Sequence, residues 1–300
     1  MNDSKSLSPR LLEMGYHDTY YFAQVVNRTL TESLNFLGTL DEFFGDLQFV
    51  KFLDPFPKWS ALHKYVWFAI EVIEFEQLPP GLDPARIDGQ VSRILTSERL
   101  LGIERTLDAY GFDFVPFRAW ATDVGLDLVS ATEDDILEYY HFLDEDLDPD
   151  GEGVRSTPGP RVRLHKQICE EVFFLTFMNR ALLLEFNRQV AEYIAEVSLD
   201  DVPDDQRALL ARDGVLRRQA IPTWVRRAVF HRDRGRCTLC GADLSGTLSL
   251  QSAENYDHVV PLAKGGINDV TNIQLLCRDC NAKKSDGATT TRNHVERWHT

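Results

Sequence analysis

Two Cys-x-x-Cys pairs, Cys237 with Cys240 and Cys277 with Cys280, constrain this chain more than any other feature. About 36 residues separate them. Zinc takes four thiolates in a tetrahedron, and each tight knuckle presents two sulfurs on one side. Gly241, directly after the first pair, suits the turn that a knuckle makes. The spacing predicts a structural Zn²⁺; free thiols or disulfides are the alternative. Cys169 stands outside the pairs in an apolar helical run and is expected to be a buried thiol. Such cysteine usage fits a reducing cytoplasm. MNDSKSLSPR lacks the apolar core of a signal peptide, and no apolar run approaches the roughly 18 residues of a membrane span. A cytoplasmic protein without a membrane segment is therefore expected.

Charge divides the chain unevenly. Its 300 residues hold 32 Lys/Arg and 47 Asp/Glu. Residues 216–300 carry 13 and 8 of these, a net of +5, which leaves −20 on residues 1–215. A polyanionic partner suits the basic end, whereas the acidic end repels it. A first domain over 1–215 and a second over 216–300 are expected on that basis. No Gly-rich phosphate loop is present, so ATP-driven chemistry is not indicated.

Between the cysteine pairs the order of features is specific. A basic helix, IPTWVRRAVFHRDRGRC, precedes the first knuckle. Asp257-His258 is followed by two valines, a proline and a Lys-Gly-Gly turn at Lys264. TNIQLLC carries Asn272, and Cys-Asn-x-x-Lys closes the run with Asn281 and Lys284. Residues 221–286 thereby resemble the HNH endonucleases, in an HNN variant. The resemblance implies a β-hairpin followed by a helix, the ββα-metal finger, around one divalent cation. By that resemblance Asp257 and Asn281 are ligands of a catalytic Mg²⁺ or Mn²⁺. His258 is the general base toward water, and Asn272 supports the geometry around it. Asn272 as a turn cap and Asn281 as a helix N-cap are compatible plain readings. A neutral imidazole accepts a proton near neutral pH, and a hard cation on a carboxylate and an amide oxygen neutralises a phosphate. Arg226, Arg227, Arg232, Arg234, Arg236 and Lys264 are candidate phosphate contacts; Lys284 is either another or a solvated cation. With one short basic helix and no extended base-reading element, weak sequence specificity is expected.

Residues 1–215 read as mostly helical. Apolar residues recur at three- and four-residue spacing over 18–47 and 58–77. Asp83-Pro84 opens another helix that runs toward Tyr110, and Ser130-Ala-Thr-Glu133 reads as a capping box. Residues 112–130 are ambiguous. Asp146, Asp148, Asp150 and Gly151 match the start of a calcium loop, but Gly153 and Thr157 stand where an apolar residue and a bidentate Glu belong. A solvated acidic linker over about 144–160 is the preferred reading there. Residues 164–197 form the longest helical run, expected to be central, and 204–214 read as a short helix.

The expected architecture is a mainly α N-terminal domain plus a small, zinc-stapled α+β domain of ββα-metal type. The expected function is metal-dependent hydrolysis of DNA, nicking or double-strand cutting, with RNA a lesser variant. Phage defence in a bacterial setting follows from architecture by analogy alone. A non-catalytic, zinc-stapled DNA-binding or adaptor module is the alternative. The acidic domain is expected to regulate or recruit the nuclease by binding a protein partner or trigger, its charge keeping DNA away until the partner engages, a form of autoinhibition; self-association into a homo-oligomer and a packing scaffold are the alternatives.

Overall fold

Helices dominate the computed structural model, which describes residues 18–32, 37–45, 48–75, 100–145, 158–246, 255–284 and 289–292. Their order is α1 Thr19–Thr31, α2 Leu37–Phe44, α3 Ala61–Phe75, α4 Gly102–Ala109, α5 Phe117–Val124, α6 Glu133–Asp144, α7 Pro160–Phe177 and α8 Arg180–Ala195. A hairpin of β1 Leu210–Arg212 and β2 Val215–Leu216 leads into α9 Thr223–Arg232. A second antiparallel pair, β3 Tyr256–His258 with β4 Ile273–Leu275, is followed by α10 Arg278–Lys284. The mainly helical chain with its small C-terminal α+β part is as expected. The acidic triplet Asp146, Asp148 and Asp150 lies outside the described residues, as does the first part of the helix expected from Asp83 toward Tyr110; its described end is α4, Gly102–Ala109.

Several local expectations change. The run expected as one helix over 164–197 is two, because Asn179 leaves helical geometry and its side chain caps Leu182 N at 3.3 Å. The capping box before α6 is Thr132 with Asp135, not Ser130 with Glu133: Thr132 N donates to Asp135 Oδ2 at 2.7 Å. Ambiguous residues 112–130 contain α5, stopped by Gly125 at φ 75°. The helix expected over 204–214 is instead a 3₁₀ turn and the start of the hairpin. Asp213-Gly214 makes the turn, with Gly214 at φ 65°; a Cβ there would lie 2.5 Å from the carbonyl oxygen of Ala195.

Two compact units divide the chain: Met1–Phe22 with Ala69–Glu171, and Ala23–Phe68 with Val172–Thr300. This division crosses the boundary expected at residue 215. Within the first unit the buried Glu104 organises two helix starts. Its carboxylate accepts from Leu101 N and from Phe117 N, both at 2.6 Å, and from the Tyr139 hydroxyl at 3.3 Å. Phe117, Trp120 and Tyr139 pack on one another around it.

The second unit is built on α8. Leu182, Leu183, Phe186, Val190, Ala191 and Ile194 are buried along it. Phe44 stacks on Tyr193 at 4.4 Å, and Tyr65 meets Phe186 at 5.8 Å. Cys169, in α7, is buried as expected.

Gly265 is the closest approach of the C-terminal loop to α8. It has φ 80°, and a Cβ there would lie 2.2 Å from the carbonyl oxygen of Ala191. Both the backbone conformation and the space require glycine. Gly265→Ala is expected to cost about 2–4 kcal/mol, seen as a lowered denaturant midpoint. An unchanged midpoint would contradict this packing.

His63 supplies a pH dependence. Its ring lies between Trp59 and Phe173, at 4.7 and 3.7 Å, and its Nδ1 faces the Ser60 N–H at 3.1 Å. Burial pushes its pKa down to about 4. The unfolded imidazole, near 6.5, takes a proton first. The contribution to stability is therefore complete above the unfolded value and is lost as pH falls through the folded value, on the order of 3 kcal/mol in all. Melting temperatures between pH 7 and pH 4 should fall more steeply for the native chain than for His63→Gln. Parallel curves would refute the assignment.

Candidate functional site

The C-terminal finger begins with its four sulfurs. Cys237, Cys240, Cys277 and Cys280 place their Sγ atoms within 4.8 Å of one another, and Cys240 and Cys277 are 3.7 Å apart. A tetrahedron with Zn–S bonds of about 2.3 Å has edges of about 3.8 Å, so the cluster fits zinc. Each knuckle is backbone-made. Gly241 N donates to Cys237 O at 2.8 Å with Gly241 at φ 76°, and Cys280 N donates to Cys277 Sγ at 3.4 Å. Burial opposes ionisation of Cys237, yet neighbouring backbone N–H groups bring it down to about 7, while burial and the adjacent sulfurs push Cys280 up. The neutral thiols can lie this close without an ion; as thiolates the four would need a cation between them, and zinc would supply it.

Asp233 ties this knuckle to the sheet. It is buried and accepts from Arg232 Nε and Nη2 at 2.8 and 3.0 Å, from Arg180 Nη1 at 3.3 Å and from Leu275 N at 2.9 Å. Arg232 also donates to Ile273 O at 2.6 Å and lies 5.0 Å over the Phe177 ring. Arg232, expected at phosphate, is thus an internal strut between α9 and β4. Arg236 bonds the Gly241 carbonyl at 3.3 Å and Arg226 bonds Thr223 Oγ1 at 3.2 Å. Arg227, Arg234 and Lys264 are exposed.

β3 and β4 pair with Asp257 opposite Gln274 and His258 opposite Ile273. Asp257, His258 and Asn281 line one cavity of about 700 Å³, together with Arg217, Arg218 and an apolar wall that includes Leu216. Sequence reasoning brought three of these five polar residues together. It missed Arg217 and Arg218, whose basic pair directly after β2 becomes visible once the hairpin is read.

His258 is 1 % exposed. Its Nε2 lies 3.2 Å from Asn268 Oδ1, and its Nδ1 is buried without a protein partner. Burial, then the charge of Arg218, pushes its pKa down to about 4, with Asp257 acting in the opposite direction. Its ring is therefore neutral at pH 7. Lys284, expected at phosphate or in solvent, is buried: Nζ donates to Asp257 Oδ2 and to His258 O, each at 2.7 Å. It clamps α10 to β3.

Asn272 does not reach the cavity. Its Oδ1 accepts from Val260 N at 2.8 Å, and its Nδ2 donates to the carbonyls of Val260 and Ile267 at 3.0 and 2.9 Å. Those bonds close the loop between β3 and β4 directly behind His258. The same loop is seated on the helices of its unit. Asp269 Oδ2 accepts from Ala61 N at the start of α3 at 2.9 Å, Asn268 O accepts from Phe56 N at 2.7 Å, and Asn187 Nδ2 donates to Thr271 Oγ1 at 3.3 Å.

A strand pair, a following helix and a carboxylate, imidazole and amide at one cavity are the parts of the ββα finger expected from the sequence. Residues 237–287 match the HNH endonuclease family. No curated protein and no solved structure matches the chain. The HNH domain implies a nuclease or DNA-binding role, DNA as substrate and use of a divalent metal, beside a cysteine cluster that can hold zinc. Among the described residues, no helix is long and apolar enough to cross a membrane.

Proposed function

We propose that this chain is an endonuclease that hydrolyses DNA phosphodiester bonds at the cavity formed by Asp257, His258, Asn281, Arg217 and Arg218. The observation that carries the reading is the meeting of Asp257, His258 and Asn281 at one cavity inside an HNH domain. Asp257 and Asn281 fit a hard cation of the Mg²⁺ or Mn²⁺ type, which when bound supplies charge neutralisation at the scissile phosphate. The bond to Lys284 engages one oxygen of Asp257, and an ionised carboxylate has roughly four acceptor sites, so capacity for a ligand remains.

His258 takes a proton from water while the water oxygen attacks phosphorus. The bond to O3′ breaks, its electron pair stays on O3′, and solvent supplies the proton that completes the alcohol. Arg217 and Arg218 stand where they can hold the flanking phosphates. Asn272 holds the loop behind His258, and the zinc-bound cysteines keep the finger folded. Arg227, Arg234 and Lys264 are exposed and would contact the DNA backbone outside the cavity.

For Ala23–Phe68 and α8, a packing scaffold is the role best supported. Their backbone and side chains seat the loop that carries Asn268, Asp269 and Thr271.

Departure of O3′ leaves 5′-phosphate and 3′-hydroxyl ends. Nicks made by the intact chain with Mg²⁺ or Mn²⁺ should therefore be sealed by DNA ligase without end repair. Unsealable nicks would contradict the proposed direction of cleavage.

A further inference from the structure

Asn268 has two bonds whose combination decides where the proton on His258 resides. Its Nδ2 donates to the carbonyl oxygen of Arg217 at 2.9 Å. A carbonyl oxygen only accepts, so the amide nitrogen must face Arg217 and the amide oxygen must face His258. That oxygen lies 3.2 Å from His258 Nε2 and likewise only accepts. Nε2 must therefore carry hydrogen. In the neutral ring Nδ1 is then the bare nitrogen, and it is buried with no protein partner.

We infer that Asn268 is a positioning residue that locks His258 in the Nε2–H tautomer and so makes Nδ1 the basic nitrogen of the ring. The assignment rests on the nuclease reading given above for its functional consequence, but not for the tautomer itself. Its logic is proton bookkeeping. A proton taken up by this ring goes to Nδ1, and the resulting imidazolium keeps its Nε2–H on Asn268. An Nδ1–H ring would leave its basic nitrogen against the amide oxygen, with two acceptors facing each other. Arg217 thereby serves twice: its carbonyl sets the amide of Asn268, and its side chain lines the same cavity. The Asn268 backbone carbonyl is held in turn by Phe56 N. The tautomer is thus anchored through both ends of one residue.

The test is ring ¹⁵N NMR of the intact, zinc-loaded chain at pH 8, with the His258 signals assigned by comparison with His258→Gln. The expected spectrum has a protonated Nε2 and a bare Nδ1. Asn268→Ala should lose that preference and lower kcat roughly 10- to 100-fold with KM nearly unchanged. Asn268→Asp keeps the acceptor toward Nε2 and should keep the Nε2–H tautomer, but with lowered kcat, because its second oxygen then faces the Arg217 carbonyl that the amide nitrogen served. If Asn268→Ala does not fold, the native and Asn268→Asp spectra still decide. A native ring protonated at Nδ1, or the native tautomer persisting in a folded Asn268→Ala chain, overturns the assignment. Absence of cleavage by a native chain with the expected tautomer would reject the nuclease reading and leave the Asn268 lock standing.

Discussion

A fragment of residues 216–300 is expected to lose cooperative folding and to leave DNA uncut, although it contains the whole HNH match. The loop between β3 and β4 depends on residues before 216. Asp269 is buried and one oxygen accepts from Ala61 N; without α3 that oxygen loses its partner. Asn268 O loses Phe56 N, Thr271 loses Asn187, Asp233 loses Arg180, and Leu216 loses its strand partner Leu210. Each buried bond contributes about 1 kcal/mol, and an orphaned buried partner costs about 1–3. Folded domains hold only about 5–15 kcal/mol in total, so losses of this number exceed what a small finger can spare. Thermal melts and plasmid cleavage of the fragment beside the intact chain check this. A cooperative melt with cleavage faster than the intact chain would contradict it and restore autoinhibition by the acidic residues, which their net charge alone suggests.

The second large effect belongs to His258. His258→Ala is expected to lower cleavage by about 10²- to 10⁴-fold, the usual contribution of general base catalysis. Its buried ring borders an existing cavity, so truncation should cost roughly 1–3 kcal/mol rather than the fold. The backbone bond from Lys284 to residue 258 and the pairing with Ile273 do not depend on the imidazole. Zinc content, read with a colorimetric chelator, should stay at one per chain, and DNA binding should persist. Cleavage within threefold of native would place the base elsewhere. Cleavage lost together with zinc would mean that the ring is structural.

The cysteine pairs form the expected cluster, and Asp257, His258 and Asn281 meet at one cavity; both groupings could be read because the chemistry asks for fixed residue types at fixed spacing. Arg232 and Lys284 show the opposite case. A sequence displays their charge but not that Asp233 and Asp257 draw them inside, and both therefore read as surface cations. Gly265 and Asp269 were invisible for a related reason. Their partners, Ala191 and Ala61, lie far away along the chain, and nothing local marks a seat on a helix. The hairpin at Asp213-Gly214 carried a local signal, but the surrounding polar residues at helical spacing masked it. The break at Asn179 was hidden by apolar residues on all sides of the run.

The most direct test is cleavage of supercoiled plasmid by the intact, zinc-loaded chain, with Mg²⁺ or Mn²⁺ and with EDTA. A nuclease at this cavity should yield open-circular or linear product with a divalent cation and none with EDTA. Intact plasmid under both cations, from a chain that holds zinc and binds DNA, would contradict it and leave a non-catalytic DNA-binding finger.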